Sequence, residues 1–305
     1  MSFSFRRRAV VVAVTAVTVG VSALAALHES SADIGRTSAA ADFHPVPTGR
    51  TAPPKAGEAK TGDAAGAVTA ARSRGWGRPL AADEFDGPLD PEAWEVYDGD
   101  GHAGNGRRSP SAVTVVDGAL RITGLPDGTT GGLGWRDGDQ ELGRWETRLR
   151  MNRACACYNA NLLLWPVNGG GDTAPKDGGG EIDYMETYED SGLRTGANFF
   201  LHYDQRKGSE QKGREGNSGR VADHVEVDLT AWHTFAVEWT AKEINGYVDG
   251  RRWFHTSDPD VRPPGPMGQA IQLDWMPELK KLTAPGIDTR DSAVLEVDWI
   301  RMYGA

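Results

Sequence analysis

The sequence predicts an all-β fold, an antiparallel sandwich or barrel, and three observations carry that expectation. Short runs alternate apolar and polar residues at period two, Asp-Gly turns punctuate several of them, and few stretches show a sustained helical period. The 39 glycines among 305 residues fit closely spaced turns better than a parallel α/β sheet.

Val113-Thr114-Val115-Val116 and Ala119-Leu120-Arg121-Ile122 flank Asp117-Gly118, a two-residue hairpin turn. Trp145, Thr147, Leu149 and Met151 alternate with Glu146, Arg148 and Arg150, which gives one buried face and one wet face. Phe235, Val237 and Trp239 alternate with Thr234, Ala236 and Glu238 in the same way. Tyr247-Val248 leads into a second turn, Asp249-Gly250, with Arg251 to Phe254 as the return strand. Leu295, Val297 and Trp299 alternate with Glu296 and Asp298 near the end.

The first 75 residues read differently. Their only aromatics are Phe3, Phe5 and Phe43, whereas all ten tryptophans lie from Trp76 onward. Arg6-Arg7-Arg8 precedes an uncharged run from Ala9 to Leu27, as in an export signal, and Ala23-Leu24-Ala25 offers a cleavage site. Residues 1–27 are expected to be a signal peptide; retained instead, they would anchor the chain in a membrane. Residues 28–75, rich in Ala, Pro, Thr and Gly, have the composition of a linker. Residues 76–305 are the expected folded domain, long enough for one substantial core.

A formal net charge of −10 argues against nucleic acid as partner. Cys155 and Cys157 are the only cysteines, too few for a four-ligand zinc site. Residues i and i+2 of a strand share a face, so a local disulfide and two buried thiols both fit the spacing.

The densest chemistry lies in Glu181-Ile182-Asp183-Tyr184-Met185-Glu186, after Gly178-Gly179-Gly180. In a strand, Glu181 and Asp183 share a face, while Glu186 would point the other way. One β-bulge near Tyr184-Met185 brings all three carboxyls together. Like charges at short range oppose joint ionisation, a cost that glycoside hydrolysis exploits with one ionised and one protonated carboxyl. An ordinary solvated strand face is the competing reading.

At these residues the sequence resembles glycoside hydrolase family 16, over about residues 80–304. Glu181 to Glu186 match its bulged Glu-x-Asp-x-x-Glu motif. Similar segments occur in order: Asp83-Glu84-Phe85-Asp86-Gly87 with Trp94, Leu142 to Glu146, Leu162 to Pro166, Trp232 to Trp239, Tyr247 to Gly250, and Val297 to Tyr303. The resemblance implies a concanavalin-like jelly roll of two antiparallel sheets with the motif on a concave face. It implies that Glu181 is the nucleophile, Glu186 the general acid/base and Asp183 the assisting carboxyl, in a double displacement with retention. Trp165, His202, Trp135, Trp275 and Gln272 become candidates to contact a polysaccharide, each against a structural reading as a core tryptophan or satisfied polar group. No cofactor is expected for catalysis. A structural calcium is implied at positions matching Glu84, Gly118 and Asp298.

The departures concern specificity. The tryptophan-rich run before the motif is reduced to Trp165-Pro166, and Gln272 to Pro277 replaces a Gly-Gly-aromatic stretch. Three functions stand side by side: a secreted, monomeric endo-acting hydrolase of a β-linked polysaccharide, a transglycosylase on the same site, and a non-catalytic carbohydrate-binding sandwich.

Overall fold

A computed structural model describes residues 68–136, 138–167, 180–204 and 218–305, with side chains left out at 204 and 218–221. The expected signal segment 1–27 and residues 28–67 of the expected linker lie outside the described residues. Among the described residues no helix is long and apolar enough to cross a membrane.

Two large sheets make up the body. The first contains β1 (Ala81–Asp83), β5 (Val113–Val116), β6 (Ala119–Gly124), β8 (Gly143–Met151), β13 (His233–Trp239), β14 (Ile244–Val248), β15 (Arg251–Thr256) and β17 (Ala293–Tyr303). Its order is β15-β14-β13-β8-β17-β6-β5, with β1 also on β17. The second contains β2 (Trp94–Val96), β3 (Gly99–Asp100), β4 (Arg107–Arg108), β7 (Thr129–Trp135), β9 (Tyr158–Pro166), β10 (Glu181–Glu186), β11 (Gly196–Asp204), β12 (Ser218–Glu226) and β16 (Met267–Trp275). Its order is β12-β11-β10-β9-β16-β7-β4-β3, with β2 also on β7. Every pairing is antiparallel except β4 with β7. This is the predicted sandwich, not a barrel.

The period-two pattern explains how the sheets meet. Leu120, Ile122, Trp145, Leu149, Phe235, Val237, Leu295 and Val297 of the first sheet share one buried cluster with Leu133, Leu162, Leu164, Ile182, Tyr184, Phe199, Leu201, Ile271 and Leu273 of the second. Phe199 of β11 stacks on Phe254 of β15, ring centroids 3.8 Å apart. Both Asp-Gly turns adopt the left-handed backbone that a tight hairpin needs, with φ of 53° and 73° at Asp117 and Gly118 and 46° and 70° at Asp249 and Gly250.

Two local expectations change, and one left open is decided. The register of β17 shifts between Val297 and Trp299, so Ile300 and Met302 continue the core side instead of Trp299. Cys155 and Cys157 are bridged, in a turn ahead of β9, with Cα atoms 5.1 Å apart. Residues 70–74, inside the expected linker, form a short helix, α1 (Ala70–Arg74). Thr69 caps it, accepting from the Arg72 N–H at 3.1 Å, and Gly75 closes it at φ 69°. Trp76 then packs edge-on against Tyr247 and Tyr303.

Helix α1 buries a residue that alternation placed on the wet face. Both carboxylate oxygens of Glu146 accept backbone N–H groups of the helix start, from Ala70 and from Ala71 at 3.3 Å. Burial raises the Glu146 carboxyl to about 7 despite those two donors.

Candidate active site

The bulge predicted from phase is present, and it organises the site. Along β10, Asp183 pairs with Leu163 of β9 and Met185 pairs with Leu162, so Tyr184 is the extra residue. On the other side Asp183 pairs with Phe200 and Glu186 with Asn198, one residue short on β11. Tyr184 and Met185 are therefore both turned into the core cluster beside Ile182, while Glu181, Asp183 and Glu186 fall on the outer face. Tyr184 fixes this kink. Its hydroxyl lies 2.9 Å from Thr147 Oγ1 of the opposite sheet and donates to Gln269 Oε1 at 2.9 Å. Burial holds its phenol protonated, well above the ordinary range.

Cross-strand neighbours complete the outer face in rows. Glu181 pairs with His202 of β11, and His202 Nε2 reaches Asp183 Oδ2 at 3.1 Å. One ligand atom each from Glu181, Asp183 and His202 lie within 4.8 Å of one another. Asp183 also accepts from Asn161 Nδ2 at 3.4 Å, and Glu186 Oε1 accepts from Asn159 Nδ2 at 2.6 Å. Asp183 is 2% and Glu186 8% exposed, so both carboxyls sit in a medium where a hydrogen bond counts for more than in water.

The other expected residues divide. Trp165 is in phase with Asn161 and Leu163 on the outer face of β9 and is only partly buried, which suits a stacking platform. Gln272 lies on the outer face opposite Asn161, where its Oε1 accepts from Arg108 Nη2 at 2.6 Å. Trp135 is a core residue instead: in phase with Leu133, 5% exposed, and stacked on Trp94 at 5.6 Å. Trp275 is in phase with Leu273 and packs against the core, its ring edge so close to Gly128 that a Cβ there would sit 2.7 Å from Cε3.

The calcium expectation meets two ion pairs. Both oxygens of Glu84 accept from Arg301, at 2.9 and 3.0 Å, and Asp298 pairs with Arg148. Gly118 has only its carbonyl to offer. A dication on these side chains would strip two largely buried arginines of counter-charge, so the carboxylates as placed do not fit a calcium.

Several site residues went unread in the sequence. Asn159 and Asn161 alternate with Tyr158, Ala160 and Leu162, a period-two signal on the strand before the motif. Arg108 and Asp274 form a pair at 2.7 Å beside Gln272, with the guanidinium over Tyr97 at 5.7 Å. Burial works against the Arg108 charge, but the Asp274 carboxylate outweighs it and raises the guanidinium above its ordinary value. No local signal joins residues 166 positions apart.

No family model matches the chain, and no curated protein does. Solved structures do. A LamA variant from Zobellia galactanivorans, in complex with laminaritriose and laminaritetraose, superposes with a TM-score of 0.60 at 16% identity, covering 74% of this chain and 98% of its own. A mixed-linkage glucan GH16 protein of Bacteroides ovatus, in complex with a product, gives 0.58 at 14% identity, over 73% and 99%. The catalytic domain of an endo-1,3-β-glucanase (laminarinase) from Thermotoga petrophila gives 0.54 at 21% identity, over 74% and 97%. At these identities the likeness concerns the backbone, and it is near-complete over those domains: the chain has the jelly-roll fold of the glycoside hydrolase family 16 endo-glucanases.

Proposed function

We propose that this chain is a family 16 glycoside hydrolase, endo-acting on a β-linked, β-glucan-like polysaccharide with retention at the anomeric carbon. The observation that carries the reading is the bulge at Tyr184, which sets three carboxyls of one short strand on the outer face of a sheet. Structural neighbours whose names describe a laminarinase or a family 16 endo-glucanase share the fold, which adds support.

In this reading Glu181 attacks the anomeric carbon while Glu186 gives its proton to the departing glycosidic oxygen. The C–O bond to the leaving sugar breaks as the bond to Glu181 forms. Glu186, now ionised, takes a proton from the water that then cleaves the glycosyl ester and regenerates Glu181. Asp183, held by Asn161 and His202, lies two residues from Glu181 on the same face and steadies it. Trp165 would stack on a sugar face, while Gln272, Arg108 and Asp274 would hydrogen-bond hydroxyls. With Glu181, Asp183, Glu186 and Asp274 against Arg108, the face suits a neutral glycan better than an anionic one. Arg6 to Arg8 and the uncharged run that follows, read as an export signal, support a site of action outside the cell.

The test is a panel of β-linked polysaccharides with size analysis of the products, run on the purified chain and on Glu181→Gln. The reading expects internal cleavage of at least one β-glucan by the native chain and none by the variant. Binding without cleavage by both would identify a carbohydrate-binding sandwich.

A further inference from the structure

We infer that Asn159, pinned by Thr187, is a positioning residue that keeps Oε1 of Glu186 an acceptor and so confines the proton of this acid/base to Oε2. The inference rests on the role proposed above for Glu186. It starts from the Thr187 hydroxyl, buried next to the motif, whose oxygen accepts the Ala160 N–H at 2.9 Å. Its own proton is donated to Asn159 Oδ1 at 3.2 Å. With its carbonyl end committed, the Asn159 amide can turn only its nitrogen to Glu186, and Nδ2 donates to Oε1 at 2.6 Å.

A proton on Oε1 would set an O–H against that N–H, two donors face to face. The acid form of Glu186 therefore carries its proton on Oε2. Asn159 and Thr187 are each 1% exposed, so water cannot take over either bond at low cost. Asn161 makes an instructive contrast. Its Nδ2 stands 3.4 Å from Asp183, and its buried Oδ1 has no partner, so nothing fixes its amide in the same way.

The charged and titratable groups around Glu186 are identifiable strand by strand. Asp183 and Glu181 share β10, and His202 on β11 is bonded to Asp183. Across Asn198 lies His224 of β12, which Asn198 Oδ1 meets at 2.9 Å. Opposite Asn159 on β16 lies Asp274, already paired with Arg108. The Asn159 hydrogen bond, made to Oε1 alone, distinguishes the two oxygens of Glu186.

The consequence for the reaction is specific. Proton donation from the correct oxygen matters when the leaving group is a poor one, and matters little when it departs unaided. Asn159→Leu keeps the volume and removes the donor. It is expected to lower kcat/KM on the polymer by about 10- to 100-fold and on a 2,4-dinitrophenyl glycoside of the released oligosaccharide by less than about 3-fold. The alkaline limb of its pH–rate profile moves to higher pH, because an N–H no longer favours the carboxylate.

Thr187→Val frees the Asn159 amide to flip and is expected to show the same signature more weakly, while Thr187→Ser restores the native leaving-group dependence. Equal losses on both substrates, with an unmoved alkaline limb, in Asn159→Leu and Thr187→Val would overturn the inference and leave a packing role. Should Asn159→Leu not fold, as read by its melting temperature, the two Thr187 variants decide alone. A native chain that cleaves no polymer of the panel overturns the proposed function itself, and is told apart by failing before any variant is compared.

Discussion

Replacing Glu146 with Gln is expected to erase a pH dependence of stability that the native protein carries between about pH 4.5 and 7. The Glu146 carboxyl is raised from 4.5 to about 7 by burial under helix α1. Over that window the folded state binds more protons at this position than the unfolded state, so stability falls as pH rises. The penalty is absent below the unfolded value and complete above the folded one. A shift of this size corresponds to about 3 kcal/mol, or about 6–12 °C in Tm for a body of this length. Gln keeps an oxygen for the Ala70 N–H and cannot ionise, but it turns an NH2 donor to the Ala71 N–H in place of the second acceptor oxygen.

The assay is denaturant unfolding of both proteins at intervals from pH 4 to 8. The stability difference between Gln variant and native chain should move in the variant's favour by about 3 kcal/mol across the window. Taking the difference removes the titrations common to both proteins, including Asp249, whose carboxyl is lowered. For Asp249 burial raises the carboxyl but the His233 hydrogen bond and charge prevail, so its contribution is lost as pH falls. A difference that is flat with pH, or that moves against the variant, would refute the claim that Glu146 is buried under α1.

Two further outcomes separate residues of similar type. Trp165→Ala should raise KM on polysaccharide with little loss of stability, whereas Trp135→Ala should cost about 3–5 kcal/mol in denaturant unfolding, because one ring lies on the outer face and the other in the core. A chelator should leave Tm unchanged, while Glu84→Gln should lower stability by about 3–5 kcal/mol by leaving Arg301 buried without its counter-charge. A Tm that drops in chelator would restore calcium to the positions of Glu84, Gly118 and Asp298.

The comparison of Trp135 with Trp165 shows what was legible in the sequence. Alternation gave the sheets, the two Asp-Gly hairpins and the need for a bulge at Tyr184-Met185, since each depends on residues adjacent in the chain. The same alternation puts Trp135 in phase with Leu133 and Trp275 in phase with Leu273, on the core side of their strands, with Trp135 buried and Trp275 partly buried. Asn159 and Asn161 carried a period-two signal too, although what they bind follows from the pairing of β9 with β10. Other features had no local signal. Glu146 looks wet along its own strand and is buried by a helix some 75 residues upstream. Arg108 finds Asp274 only because β4, β7 and β16 are neighbours in the sheet.

The central claim is that Glu181 forms a covalent bond to the sugar while Glu186 handles the proton. The most direct measurement is incubation with an activated 2-deoxy-2-fluoro glycoside of the oligosaccharide the protein releases, followed by peptide mapping by mass spectrometry. The fluorine slows both steps by destabilising the oxocarbenium-like transition state, and the good leaving group lets the first proceed, so a glycosyl-enzyme accumulates. The account predicts one added glycosyl mass on the peptide that contains Glu181, lost in Glu181→Gln. An adduct on Glu186 or Asp183, or turnover of the natural polymer with inversion and no adduct, would contradict it.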